Sequence, residues 1–182
     1  VFIGAGAGAL ASATGGGIVA VALAHGIALA VIVYAWGPIS GAHVNPAVTF
    51  GVALAGRMSW AKAASYWIVQ FLGAAVAAFV LVWLIGKQGG LGATTGTLTV
   101  SAPLKAAALE AVLTFFLVVA VFGSAIAGRN GNAYGIAIGL VLTMDILMGG
   151  SLTGASMNPA RTFGPALVTG DVSHFWIYLI GP

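Results

Sequence analysis

Apolar residues run through this chain in long unbroken stretches, not at the three-to-four-residue spacing of a helix that is wet on one side. Residues 18–36, 61–85, 102–127 and 134–148 are such stretches, separated by turn-rich segments such as 86–97 and 128–132. A helix crossing the roughly 30 Å hydrocarbon core of a bilayer needs about 20 apolar residues at about 1.5 Å each. The four stretches therefore predict four membrane spans. Residues 1–13 and 174–182 have the same apolar character over shorter lengths and read as cut spans. The expectation is six spans, the first lacking its start and the sixth its end.

Two further apolar pieces, residues 46–55 and 159–168, cover only about 15 Å as helices, half of a membrane. Each begins Asn-Pro, a favoured N-cap followed by a residue suited to the first helical position. Their surroundings repeat: SGAHVNPAVTFG from Ser40 and TGASMNPARTFG from Thr153 agree at eight of twelve positions at an offset of 113. Upstream, GIALAVIV from Gly26 resembles GIAIGLVL from Gly135 at an offset of 109, which predicts one extra helical turn in the second copy. Three spans in each half make the second copy enter the membrane from the opposite side, an inverted repeat. The chain is expected to be one domain, residues 1–182, made of repeats at about 1–88 and 102–182.

A half-length helix leaves irregular backbone at membrane depth, which survives only inside protein or along a water-filled cavity. Two such helices meeting at the midplane form one pseudo-continuous span. Their facing N-termini each carry unpaired N–H groups and about half a positive charge, which opposes cations. The Asn45 and Asn158 amides can donate to a passing oxygen, and the carbonyls expected at Gly41 to His43 and Gly154 to Ser156 need partners that water can supply. A water bonded to both asparagines would have its hydrogens turned outward, interrupting a proton wire. The pattern favours neutral polar solutes.

Composition sharpens this. Hydrophobic residues make up 60% of the chain and charged residues 5%, too few to coat a water-exposed particle. Arg57, Lys62, Lys87, Lys105, Arg129 and Arg161 stand singly, so no clustered basic patch for nucleic acid exists. With no cysteine, thiolate metal sites and cysteine nucleophiles are excluded. His25, His43 and His174 lack metal-ligand spacing, so neither a catalytic constellation, a metal nor a cofactor is expected.

The two boxes, Asn45-Pro46-Ala47 and Asn158-Pro159-Ala160, with their flanks, the duplication and WIYLIGP near the end, resemble the aquaporin (major intrinsic protein) family over essentially the whole chain. The resemblance implies an all-α, right-handed membrane bundle of six spans plus two half-helices. It also implies a homotetramer with one pore per subunit and passive conduction of water or small neutral solutes. Loops carrying Arg57 and Arg129 would be cytoplasmic. A four-residue filter carries over as His25, Ile146, Ala155 and Arg161, a set similar to plant vacuolar-membrane aquaporins and less polar than the strictest water channels. Thr162, Ala166 and Tyr178 stand where water channels differ from glycerol facilitators and fit the water type; Leu179 departs from it. In the family a glutamate matching Glu110 braces the second pore loop.

Several residues keep a plainer reading beside the functional one. Arg161 could snorkel to an interface, and His25 could be a buried histidine bonded to a carbonyl. His43 fits pore lining and loop bracing equally. Glu110 could carry protons, and Asp145, beside Ile146, is expected to make a capping or loop contact. The function that emerges is a passive channel for water, with a broader ammonia, urea or glycerol facilitator as the alternative. A coupled secondary transporter and a non-conducting structural membrane protein are more distant ones.

Overall fold

A computed structural model describes residues 1–128 and 131–182, so Arg129 lies outside the described residues. The described chain is helical, as the long apolar runs require. The elements are α1 (Phe2–Thr14), α2 (Gly17–Ser40), α3 (Pro46–Leu54), α4 (Trp60–Ile85), α5 (Thr97–Ser101), α6 (Pro103–Ala120), α7 (Tyr134–Thr153), α8 (Pro159–Thr169) and α9 (Phe175–Ile180). A π-helical turn, Val121–Ile126, prolongs α6. Four helices, Gly17–Ser40, Trp60–Ile85, Pro103–Ile126 and Gly131–Thr153, are long and apolar enough to span a membrane.

The half-helices α3 and α8 start where the Asn-Pro signals place them. The spanning helices run further than the apolar pattern alone. α2 continues past Trp36 through Pro38, which gives up one intrahelical hydrogen bond, and stops at Gly41, whose φ of 80° turns the chain. α7 likewise continues past Met148 to Gly154, with φ 85°. α5 falls between the turn-rich segment 86–97 and the apolar run from 102, where the pattern predicts no element.

The close packing of α2 on α7 corrects the expected extra turn. The offset of 109 pairs Gly26 with Gly135, but in the structure Gly26 meets Gly139. A Cβ on Gly26 would stand 2.5 Å from the Gly139 carbonyl oxygen, and one on Gly139 would stand 2.8 Å from Ala30 Cβ. Gly26/Gly139, Ala30/Thr143 and the terminal Gly41/Gly154 are all 113 apart, so the two copies keep one register through both helices. Gly135 instead lies against the Tyr34 ring. Small residues are needed here because lipid offers no hydrophobic drive between spans; close backbone approach supplies the packing.

α2, α3, α6, α7 and the two loops before α3 and α8 share one buried apolar cluster, which includes Ala22, Val48, Leu117, Ile138 and Met157. Outward, α4 exposes Ile68, Leu72, Val76, Phe79 and Trp83 in a stripe at helical spacing. Such a surface is stable only against lipid or another protein.

Candidate functional site

The two Asn-Pro-Ala boxes fold as matched halves. Each asparagine takes an extended backbone and caps its helix: Asn45 Oδ1 accepts from Ala47 N at 2.9 Å, and Asn158 Oδ1 from Arg161 N at 3.1 Å. Each then reaches across the molecule. Asn45 Nδ2 donates to the Met157 carbonyl at 2.7 Å, and Asn158 Nδ2 donates to the Val44 carbonyl at 3.0 Å. The tips of α3 and α8 are thus joined directly. An amide nitrogen has two hydrogens, so one on each asparagine remains for a solute.

Reaching across needs unusual backbone. Ala42 and Val44 have φ of 47° and 41°, and their repeat partners Ala155 and Met157 have 43° and 51°. Left-handed conformations are uncommon for residues with a Cβ and persist only where the surroundings over-determine them. Here the determinants are visible. For the second loop, Glu110 is fully buried on α6; its carboxylate accepts from Thr153 Oγ1 at 2.6 Å, Ser156 N at 3.0 Å and Met157 N at 2.7 Å. For the first loop, α4 serves instead. Tyr66 Oη donates to the Ser40 carbonyl at 2.6 Å, Trp67 Nε1 to the Pro46 carbonyl at 3.1 Å and Gln70 Nε2 to Thr49 Oγ1 at 2.9 Å.

A second correspondence had no signal in the sequence reading. His43 Nδ1 lies 3.1 Å from Thr49 Oγ1, and Ser156 Oγ lies 2.6 Å from Thr162 Oγ1. In each repeat the residue two before the asparagine bonds the threonine four after it. Thr49 Oγ1 donates to the Asn45 carbonyl at 3.0 Å, so His43 Nδ1 carries the hydrogen in that bond.

A cavity of about 470 Å³ runs past this junction. Its walls extend along α2 from His25 to Gly41, about 24 Å at helical rise. His25 and Arg161 line it towards one end, Asn45 and Asn158 the middle, and Gly37 and Tyr134 the other end, with Gly41, Ala42, His43 and Ser156 along the way. Its charged lining residues are Arg57 and Arg161; no carboxylate lines it among the described residues. His25 Nδ1 donates to the Val21 carbonyl at 2.8 Å, leaving its buried Nε2 without a partner among the described residues. Arg161 is buried, and its Nη1 donates to the Gly92 carbonyl at 2.7 Å. A buried guanidinium bonded to protein backbone weighs against the snorkelling alternative.

Other expected site residues lie off this wall. Ile146 and Ala155 are buried in the apolar cluster, and neither lines the cavity. Gly154 lies under the backbone of Thr94 and Thr95. Pro46, Ala47, Pro159 and Leu179 line a separate cleft on the other side of the half-helices, and Ala160 is buried. Thr162, Ala166 and Tyr178 border a small outer pocket of about 120 Å³. Tyr178 Oη donates to the Thr153 carbonyl at 2.5 Å, so it supports the brace from behind. Asp145 corrects the expected cap: it is buried, and its Oδ2 has no partner among the described residues.

Comparison with known proteins agrees with this geometry. The family model described as major intrinsic protein matches residues 1–182. Aquaporin TIP1-2 of Zea mays is 43% identical over 195 residues, covering 100% of this chain and 75% of its own length. Aquaporin TIP2-1 of Arabidopsis thaliana is 41% identical over 169 residues, covering 91% and 66%. The X-ray structure of the aquaglyceroporin from Plasmodium falciparum superimposes with a TM-score of 0.81 at 25% identity, over 100% of this chain and 84% of that one.

Proposed function

Because the chain belongs to the major intrinsic protein family, we propose that its central cavity is a passive path by which water, and with it small neutral solutes, crosses the membrane while protons and ions are turned back. The protein is an integral, multi-pass membrane channel. The observation that carries the mechanism is the reciprocal pairing of Asn45 with the Met157 carbonyl and Asn158 with the Val44 carbonyl. It fixes both amides beside the lumen with one N–H each to spare. A water passing between them accepts from both and presents its own hydrogens outward, so no hydrogen-bonded chain runs continuously through the middle. The two helix N-termini add about half a positive charge apiece at the same place, and Arg161 adds a full one.

In this reading His25 and Arg161 form the polar part of the filter. Ile146 and Ala155 set its size from the buried cluster behind. Glu110 is a brace: all three of its partners donate to it, and it faces away from the cavity. That placement weighs against coupled transport, which needs an ionisable group where the solute binds. Residues 1–182 act as one channel unit built of two inverted repeats, and four copies assemble through exposed apolar faces such as that of α4. The broader facilitator stays as a second reading on one observation: the cavity end that holds His25 and Arg161 has no aromatic residue among the lining.

Osmotic shrinkage of reconstituted vesicles tests the proposal. Vesicles with the protein should shrink faster than empty ones in a sucrose gradient, and no solute should accumulate against its gradient. Shrinkage at the rate of protein-free vesicles, or uphill uptake coupled to an ion, would overturn it.

A further inference from the structure

The chain between α4 and α5 takes a course that its glycine-rich composition does not explain by itself. Gly89, Gly90, Leu91 and Gly92 have successive φ values of 51°, 57°, 55° and 64°, a short left-handed turn. A leucine there is disfavoured because its Cβ crowds the following carbonyl. Yet Leu91 is completely buried, packed with Ala5 and Leu81. Its side chain holds the turn in place.

The segment is wedged from both sides. Against α1, a Cβ on Gly89 would collide with the Ala9 carbonyl and one on Gly92 with the Ala5 carbonyl. Against the end of α7, a Cβ on Gly96 would collide with the Leu152 backbone, and one on Gly154 would stand 2.8 Å from Thr94 Cα. From this wedge two bonds reach consecutive residues of the first turn of α8. Arg161 Nη1 donates to the Gly92 carbonyl at 2.7 Å, and Thr94 Oγ1 lies 2.9 Å from Thr162 Oγ1. Thr162 is in turn bonded to Ser156, whose hydroxyl donates to the Asn158 carbonyl at 2.9 Å.

We propose that residues 89–94 are a two-point clamp that sets how far the Arg161 guanidinium stands into the lumen, which makes Leu91 and Thr94 positioning residues for solute selectivity. The inference rests on the channel reading above. Arginine is long and flexible, and among the described residues this guanidinium has a single hydrogen-bond partner. Where the Gly92 carbonyl stands therefore decides where the charge stands. The Leu91 plug fixes that carbonyl against α1, while Thr94 fixes the backbone from which Arg161 projects. Neither Leu91 nor Thr94 lines the central cavity, so both act through Arg161. With the clamp released, the guanidinium yields to a solute wider than water.

The test measures water and glycerol permeability on the same proteoliposomes for the parent and for Thr94→Val, Thr94→Ser and Leu91→Ala. Loss of one hydrogen bond of ordinary net strength corresponds to about a three- to tenfold change in a relative rate. Thr94→Val should raise the glycerol-to-water ratio by that factor while water flux persists. Thr94→Ser, which keeps the hydroxyl, should restore the parent ratio. Leu91→Ala should move the ratio in the same direction as Thr94→Val. Should the larger truncation prevent folding, the Thr94 pair carries the test alone. An unchanged ratio in Thr94→Val, or a proportional fall of both permeabilities as from fewer folded pores, overturns the clamp. Parent vesicles without water flux would overturn the channel reading itself; parent vesicles with normal flux and an unmoved variant ratio would overturn only the clamp.

Discussion

Replacing Glu110 by Gln keeps the shape of the brace and changes one acceptor into a donor. In the parent, one oxygen accepts from Thr153 Oγ1 and Ser156 N, and the other from Met157 N at 2.7 Å. Gln can still serve the first pair. Its NH2 then faces the Met157 N–H, leaving two buried donors unsatisfied at about 1–3 kcal/mol each, so the expected cost is about 2–6 kcal/mol. Against a typical stability of about 5–15 kcal/mol the fold survives in most of that range, but weakened. At about 2–4 °C per kcal/mol for a domain of this size, the unfolding midpoint in detergent should fall by at least ~4 °C. The functional consequence follows from the next bond. Met157 is held in a left-handed conformation and its carbonyl accepts the Asn45 amide at 2.7 Å. If its N–H turns away from Glu110, that carbonyl moves and the Asn45 amide loses its fixed direction. Water permeability per folded protein should therefore drop together with the midpoint. An unchanged midpoint and unchanged permeability would refute the bracing argument. A variant that lost only a proton-dependent flux, with water permeability intact, would make Glu110 a proton carrier instead.

Asn158→Asp replaces the amide that donates to the Val44 carbonyl with an acceptor, so proton leak in a pH-jump assay should rise; no rise would place the barrier elsewhere. Gly26→Val should abolish folded protein, since a Cβ there already stands 2.5 Å from the Gly139 carbonyl oxygen and collides with the Thr143 hydroxyl; a monodisperse, heat-stable variant would contradict the α2–α7 packing. In the outer loop, the Ser173 hydroxyl and then the Ser173 N–H hold the Asp171 carboxyl below its ordinary value. That contact contributes above the unfolded-state pKa and is lost as pH falls through the lower folded one, so Asp171 stays ionised from pH 5 to 8 and Ser173→Ala should raise its pKa, as read by isotope-edited infrared titration. With no cysteine in the chain, mercuric ion should leave water flux unchanged, and strong inhibition would contradict a path lined as described.

The parts of the fold that sequence exposes are those governed by short-range rules. Asn-Pro marks the starts of α3 and α8 because capping and the fixed proline φ are local, and both helices begin at those prolines. The apolar runs mark the spans because solvent imposes a length. Where a helix stops is less legible: the apolar run ends at Trp36, yet α2 continues through Pro38 and Gly41 sets the stop. Register across the bundle is less legible still. The match at an offset of 109 is a chance likeness between apolar strings, whereas the packing of Gly26 on Gly139 depends on which faces meet. At the site, spacing pointed to both asparagines and Arg161, which the structure places on one cavity. The spacing did not separate residues on the wall from those behind it, since Ile146, Ala155 and Thr162 turn into the protein. Within the turn-rich segment 86–97 nothing singled out Leu91, since a leucine disfavours the left-handed φ that it adopts.

The two repeats use the same inner geometry but different outer supports, and the difference bears on how the halves can respond. In both, an inner hydrogen bond links the residue two before the box to a threonine on the half-helix, His43 to Thr49 and Ser156 to Thr162. The next partner of Thr49 is Gln70, on the long rigid helix α4. The next partner of Thr162 is Thr94, on a loop wedged between α1 and α7. A helix offers one position to the group it holds, because its backbone is satisfied internally. A wedged loop shifts whenever either neighbour shifts. Variation in the chain between α4 and α5 can thus reach Arg161 with the Asn45 half left in place.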